Sequence, residues 1–203
     1  MPNYEIEKKY MADGYSLICG VDEAGRGPLS GCVYAAACIL PLDTEIPGLN
    51  DSKKLTPKKR EALFDIICEK AVAYAIAYAT PEEIDEINIL NADMLAMNRA
   101  ISMLSPAADL ALVDGNIARD LPIPAYPVIK GDALSCSIAA ASILAKVARD
   151  RACLEDDREF PMYGFAKHKG YGTKQHMDAL RTYGPCPLHR RSFLGFLEKK
   201  NED

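Results

Sequence analysis

The chain has 203 residues, 49% hydrophobic and 26% charged, with a formal net charge of −5. This length and balance match an ordinary soluble globular protein with one substantial core. No apolar run approaches the roughly 18 residues that a membrane span needs, and the mixed-charge N-terminus, Met1 to Tyr10, does not read as a signal peptide.

In chain order, Ser16 to Val21 and Cys32 to Leu40 read as strands separated by a glycine turn. The second is so continuously apolar that it belongs inside a sheet. Thr56-Pro57 begins a helix over Lys58 to Lys70, with proline where its missing N–H is tolerated. Ala71 to Ala79 reads as a third strand. Thr80-Pro81-Glu82-Glu83 has the form of a capping box, and a second helical stretch runs from about Asn91 to Leu104. Asp109 to Val113 and Tyr126 to Ile129 are short strands that end at Asp114-Gly115 and Lys130-Gly131-Asp132. Ser137 to Arg151 is an alanine-rich helix whose small residues allow close packing on the sheet.

Beyond Phe160 the texture changes to short helices and glycine-rich loops. The pattern predicts an α/β fold: a mixed central sheet flanked by helices over residues 1–160. A small C-terminal basic helical region, 161–203, packs on it as one compact unit. The seven cysteines (Cys19, Cys32, Cys38, Cys68, Cys136, Cys153 and Cys186) are scattered, with no Cys-x-x-Cys pair. They read as reduced, buried thiols of a cytoplasmic protein rather than disulfides or a zinc site.

The charge is unevenly distributed. Between Tyr163 and Arg191 lie Lys167, Lys169, Lys174, Arg181, Arg190 and Arg191 against Asp178 alone, a net +5, so the remainder carries −10. His168, His176 and His189 fall in the same segment. A basic face on an acidic body suits phosphate binding, although a solvated surface would share that composition.

Three carboxylate positions share one setting, the end of a predicted strand beside a glycine: Asp22-Glu23, Asp114 and Asp132. Ligands of α/β sheets collect at the carboxyl ends of strands. Four acids gathered there would repel one another unless cations joined them, and paired divalent ions roughly 3.5–4 Å apart could activate water and stabilise a leaving oxygen on phosphorus. Asp22 and Glu23 are adjacent and would face opposite sides of a regular strand, so a twist or turn at Glu23-Ala24 is expected.

Gly25-Arg26-Gly27 would let a ligand approach the backbone closely. It lacks the following helix that a dinucleotide loop requires. Asp51-Ser52-Lys53-Lys54-Leu55 suits either phosphate binding or a simple turn into a helix. Tyr171, between Gly170 and Gly172, could stack on a sugar or base or simply pack. Cys136 and Ser137 are the candidates for a covalent nucleophile, but no histidine lies in the strand-rich half to complete a triad.

Taken together these segments resemble bacterial ribonuclease HII, a type 2 ribonuclease H. The blocks that carry the resemblance are Asp-Glu-Ala-Gly-Arg-Gly at 22–27, Asp-Ser-Lys-Lys-Leu at 51–55, Asp-Gly at 114–115 and Lys-Gly-Asp at 130–132. Ile138 to Val147, His-Lys-Gly-Tyr-Gly-Thr at 168–173 and Leu-His-Arg-Arg-Ser-Phe at 188–193 complete the set. The resemblance implies a ribonuclease H-like fold and catalytic, metal-holding roles for Asp22, Glu23, Asp114 and Asp132 with Mn²⁺ or Mg²⁺. Asp22 would bridge two ions, Glu23 and Asp114 would share one, and Asp132 would hold the other.

It further implies that the backbone of Gly25, Arg26 and Gly27 reads a ribose 2′-hydroxyl, with Tyr171 stacking on the next sugar; Ser52 and Lys53, from the 51–55 segment, are candidate substrate contacts beside them. The implied activity is cleavage of the RNA strand of RNA–DNA hybrids and nicking 5′ of a ribonucleotide embedded in duplex DNA, leaving 5′-phosphate and 3′-hydroxyl ends. The 2′-hydroxyl is the group by which a protein tells RNA from DNA. The sister type HIII carries an extra N-terminal domain and a glutamate in a late acidic slot. Here about 15 residues precede the first strand and the fourth acid is Asp132, both of which favour type HII. A monomer is expected. Residues 195–203 hold no clear sliding-clamp peptide, which leaves clamp binding open. The rivals are a nuclease of the same fold acting on structured DNA and a non-catalytic nucleic-acid-binding protein.

Overall fold

The computed structural model describes residues 1–198, so most of the 195–203 stretch read for a clamp peptide lies outside the described residues. It opens with a helix that the sequence reading left unassigned, α1 (Glu5–Ala12). Eight residues are too few for a helix to persist alone. Tertiary contacts hold it: Ile6 and Tyr10 pack beside Ile18, Leu110, Leu112 and Ile138. The buried Glu7 carboxylate accepts hydrogen bonds from Ser135 Oγ (2.6 Å) and the Ser137 N–H (3.0 Å).

β1 (Ile18–Ala24), β2 (Val33–Ile39), α2 (Pro57–Lys70), β3 (Ala73–Ala79) and α3 (Pro81–Ser102) follow. Thr80 and Glu83 form the expected capping box. The two helical stretches read on either side of Asn88 are one helix broken there. Asn88 takes a positive φ of 66°, and its Oδ1 accepts the N–H groups of Leu90 and Asn91, recapping the second half. β4 (Leu110–Asp114) and β5 (Ala125–Val128) lead through the short α4 (Gly131–Leu134) into α5 (Cys136–Glu159), which runs eight residues beyond its predicted end at Arg151.

The sheet is mixed, in the order β3-β2-β1-β4-β5. β1 and β2, and β2 and β3, pair antiparallel, whereas β1, β4 and β5 run parallel. Every residue of β2 except Tyr34 is buried, as its apolar run predicts. On β3, inward alanines alternate with the exposed Tyr74 and Tyr78, the pattern of an edge strand.

One face of the sheet packs on α3 and the other on α5 and α2. At Gly20 the backbone of α5 at Ser137 and Ile138 passes so close that a Cβ would collide with it. That close approach docks the start of α5 directly over β1.

Beyond α5, α6 (Phe165–His168), α7 (Lys174–Tyr183), a 3-10 turn at Arg191–Phe193 and α8 (Gly195–Glu198) gather around their own apolar cluster. Tyr163, Phe165, Leu180, Cys186 and Leu194 form it. All seven cysteines are free thiols. Among the described residues no helix is long and apolar enough to cross a membrane.

Candidate active site

β1, β4 and β5 lie side by side and parallel, so their carboxyl ends open at one corner of the sheet. Asp22 lies near the end of β1, Asp114 closes β4, and Asp132 stands in the first turn of α4, just after β5. These three each offer a carboxylate oxygen within 4.8 Å of the others. Asp114 Oδ1 accepts the Asp132 N–H at 3.3 Å. A Cβ at Gly131 would lie 3.2 Å from Asp114 Oδ1 and 2.5 Å from Ile138 Cδ1, so glycine permits this closeness.

The turn expected at Glu23-Ala24 is absent. The ladder is regular through Ala24, with Asp22 opposite Ala36 and Glu23 opposite Ala35, and the chain bends only at Gly25, where φ is +106°. Side chains therefore alternate as in any strand: Ala24 faces the α5 side, Val21 the α3 side. Asp22, sharing its face with Ala24, is buried, and its Oδ1 accepts the Glu23 backbone N–H at 2.7 Å. Glu23 is thus beside the three aspartates without belonging to their closest grouping.

Burial first, then repulsion from Glu23 and Asp114, pushes the Asp22 pKa well above the carboxylate range. Burial, Asp114 and Asp51 raise that of Asp132. An all-oxygen set of crowded, partly buried acids suits a hard divalent cation, because such an ion would supply the missing counter-charge. The residues fit a metal centre on their own chemistry.

The 51–55 segment supplies two further groups. Asp51 adds to the negative charge that raises the Asp132 pKa and caps a 3-10 turn through the Lys53 N–H at 2.9 Å. Its part in the site was missed in the sequence because Asp at such a turn is common for local reasons alone. Burial opposes the charge of Lys53, yet Asp22, Asp132, Asp51 and Asp114 together hold its pKa above the ordinary value. Ser52, read as either a phosphate contact or part of a turn into a helix, is 3% exposed, and its hydroxyl lies 2.9 Å from that of Ser142. It therefore braces the segment against α5.

The glycine turn leaves β1 beside these acids. Gly25 lies so tightly against the Arg149 side chain that no Cβ fits, and its positive φ demands glycine as well. Arg26 approaches Glu23 at 3.7 Å and the buried Asp93 of α3 at 3.5 Å. Burial and then Glu23 lift the Asp93 pKa to about 8, against the pull of Arg26. Tyr171 is 47% exposed, its ring 3.6 Å from where a Cβ at Gly27 would sit, with the Arg149 guanidinium 5.7 Å from its centre.

The basic segment is not uniformly a face. Lys167, Lys174, Arg181 and Arg191 are exposed, but Arg190 and all three histidines are buried. As a covalent nucleophile Cys136 fares poorly: burial, then Glu7, pushes its thiol up to about 11, and Ser137 Oγ is buried without a partner.

The family profile described as Ribonuclease HII matches residues 19–195. A curated relative from Acetivibrio thermocellus, named Ribonuclease HII, is 55% identical over 187 residues, covering 92% of this chain and 73% of that protein. Among solved structures, ribonuclease H2 from Pyrococcus horikoshii superposes with a TM-score of 0.75 at 27% identity, over 93% of this chain and all of that one. Bst-RNase HIII in complex with Mn²⁺ shares the fold at a TM-score of 0.66 and 17% identity, covering 91% and 69%. The mixed five-stranded sheet flanked by helices is therefore ribonuclease H-like, as expected from the sequence.

Proposed function

We propose, for a chain that belongs to the ribonuclease HII family, endoribonucleases that act on the RNA of RNA–DNA hybrids with divalent metals, a further activity. It nicks duplex DNA 5′ of an embedded ribonucleotide, using two metal ions and leaving 5′-phosphate and 3′-hydroxyl ends. The observation that carries this reading is the meeting of two features at one corner of the sheet: the Asp22–Asp114–Asp132 cluster and the Gly25-Arg26-Gly27 turn facing Tyr171.

Asp22, Glu23, Asp114 and Asp132 would hold the ions, which would act as Lewis acids toward the scissile phosphate and lower the pKa of water. The protein's own groups do the rest. Lys53, its charge held by four surrounding carboxyls, is placed to meet a phosphate oxygen. The Tyr171 ring offers a flat apolar face to a sugar, and the glycine turn offers backbone donors without side chains in the way. A 2′-hydroxyl that satisfies those donors is distinguished from a deoxyribose that leaves them unpaired.

The test is a labelled DNA duplex bearing one ribonucleotide, incubated with Mn²⁺ or Mg²⁺ and mapped at nucleotide resolution. A single cut on the 5′ side of the ribonucleotide is expected, and it should vanish with EDTA and in Asp114→Asn. Cutting of an all-deoxy structured substrate in preference would instead mark a junction-type nuclease.

A further inference from the structure

Arg190 lies 165 residues from Gly25 and is fully buried, yet it meets no carboxylate among the described residues. Its guanidinium spends four of its five N–H donors on the carbonyls of the glycine turn. Nη2 donates to Gly25 O at 2.6 Å, Nη1 to Arg26 O and Pro28 O at 2.9 Å each, and Nε to Gly31 O at 2.9 Å. The Arg190 backbone N–H takes a fifth, Leu29 O at 2.9 Å. Burying a guanidinium without an anion is costly, so this arrangement is far from a default way to close a loop.

Peptide geometry gives the bonds a direction. In a trans peptide the C=O of one residue and the N–H of the next point opposite ways. With the carbonyls of Gly25 and Arg26 drawn toward the guanidinium, the N–H groups of Arg26 and Gly27 are turned away from it. Neither N–H donates to any other group among the described residues. The neighbouring amides of Leu29 and Gly31 are occupied by Gly170 O and Leu188 O. Two free donors thus remain, adjacent in the chain, in a turn whose Gly27 lies beside the Tyr171 ring.

We propose that Arg190 is a positioning residue for ribose recognition: by gathering the carbonyls of the glycine turn behind it, it aims the Arg26 and Gly27 N–H groups at the substrate 2′-hydroxyl. This inference rests on the ribonucleotide reading above. Arg190 touches neither substrate nor metal-holding acid; it acts through the turn. Lysine cannot replace it, since an ammonium has three donors and no planar fork to span carbonyls that lie in different directions.

Arg190→Lys and Arg190→Gln test this, with nicking of the single-ribonucleotide duplex measured against the same duplex without it. Amide hydrogen exchange is followed in parallel across residues 24–31. The expected result is a ribose-over-deoxyribose rate ratio reduced about 100-fold, carried by kcat, with faster exchange in the turn and unchanged protection in the sheet. A structural role alone would lower all rates together and leave the ratio where it was, and that result overturns the proposal while the nuclease reading stands. If the wild-type protein fails to nick the ribonucleotide duplex, both fall. Should neither variant fold, the wild-type protein decides in EDTA: the Arg26 and Gly27 amide resonances must shift with the ribonucleotide duplex more than with the all-deoxy one, and equal shifts overturn the proposal.

Discussion

The acidic corner and the C-terminal cationic region solve the same problem in opposite ways. Both bury charge. Around Asp22 the carboxyls face one another, with Lys53 among them and Arg26 3.7 Å from Glu23. Around Arg190 the charge is spread over carbonyls of the chain's own backbone. Nearby His176 and His189 stay neutral and bond to each other, Nε2 to Nε2 at 3.0 Å. In the first region crowded like charges suit a divalent counter-ion, whereas in the second the guanidinium is paired by the fold itself. On the proposed reading, occupancy tunes the acidic corner and folding sets the glycine turn.

The most severe way to break this contrast is Asp22→Asn. Removing one acid from an incomplete cluster should reduce cleavage about 1,000-fold or more. It should also relieve repulsion and raise the melting temperature without metal by roughly 2–4 °C, the shift that about 1 kcal/mol gives a chain of this size. Mn²⁺ should stabilise the wild-type protein and raise the variant much less. Calorimetry with and without EDTA reads both effects, and an apo variant that melts lower than wild type would show that the cluster is not repulsive.

Next in size is the pH response, where the two regions carry opposite signs. Burial and then His176 depress the His189 pKa to about 4, so the unfolded chain takes up a proton that the fold refuses. The stability from neutral His189 is whole above about pH 6.5 and is lost as pH falls toward 4, a change of about 3 kcal/mol. Asp93, raised to about 8, works the other way: the fold holds its proton more tightly than the unfolded chain, so stability falls as pH rises from the unfolded value toward 8. Between about pH 4 and 6.5 the two slopes oppose each other, so urea unfolding of the metal-free protein across pH 4–9 should show stability falling chiefly between about pH 6.5 and 8. His189→Asn should remove the opposing gain on the acid side, so that stability falls with rising pH from about 4 on, and Asp93→Asn should remove the fall toward pH 8. An unaltered acid limb in His189→Asn would remove that histidine from the account.

How much of this was legible in the sequence follows from how local each cause is. The Asp22, Asp114 and Asp132 corner could be read because strand ends are local signals and parallel neighbours bring such ends together. The capping box at Thr80 and the break before Asn91 were readable for the same reason. Helix α1 was not, since its stability comes from Glu7 docking on Ser135, 128 residues away. The expected turn at Glu23-Ala24 failed because the β1–β2 ladder keeps both residues in regular register through Ala24 and the chain bends only at Gly25. Arg190 was counted as surface charge, since composition cannot say which arginine of Arg190-Arg191 points inward. Only the bonds to Gly25 and Arg26 settle that.

The smallest effect belongs to Tyr171 and is the most discriminating. Its backbone is fixed from three sides: the N–H donates to His168 O at 3.0 Å, and the carbonyl meets the Thr173 N–H at 2.8 Å and His176 Nδ1 at 3.0 Å. The ring itself stays half exposed. Tyr171→Ala therefore removes a surface without disturbing the support beneath it, and its melting temperature should stay within about 1–2 °C of wild type, as for an exposed position. Losing one stacking contact, about 1–3 kcal/mol per base on comparable surfaces, should lower nicking at a single ribonucleotide about tenfold, with Tyr171→Phe close to wild type. If Tyr171→Ala instead unfolds the C-terminal cluster while sparing the rate per folded molecule, the ring is packing. The recognition side would then be finished by the glycine turn alone.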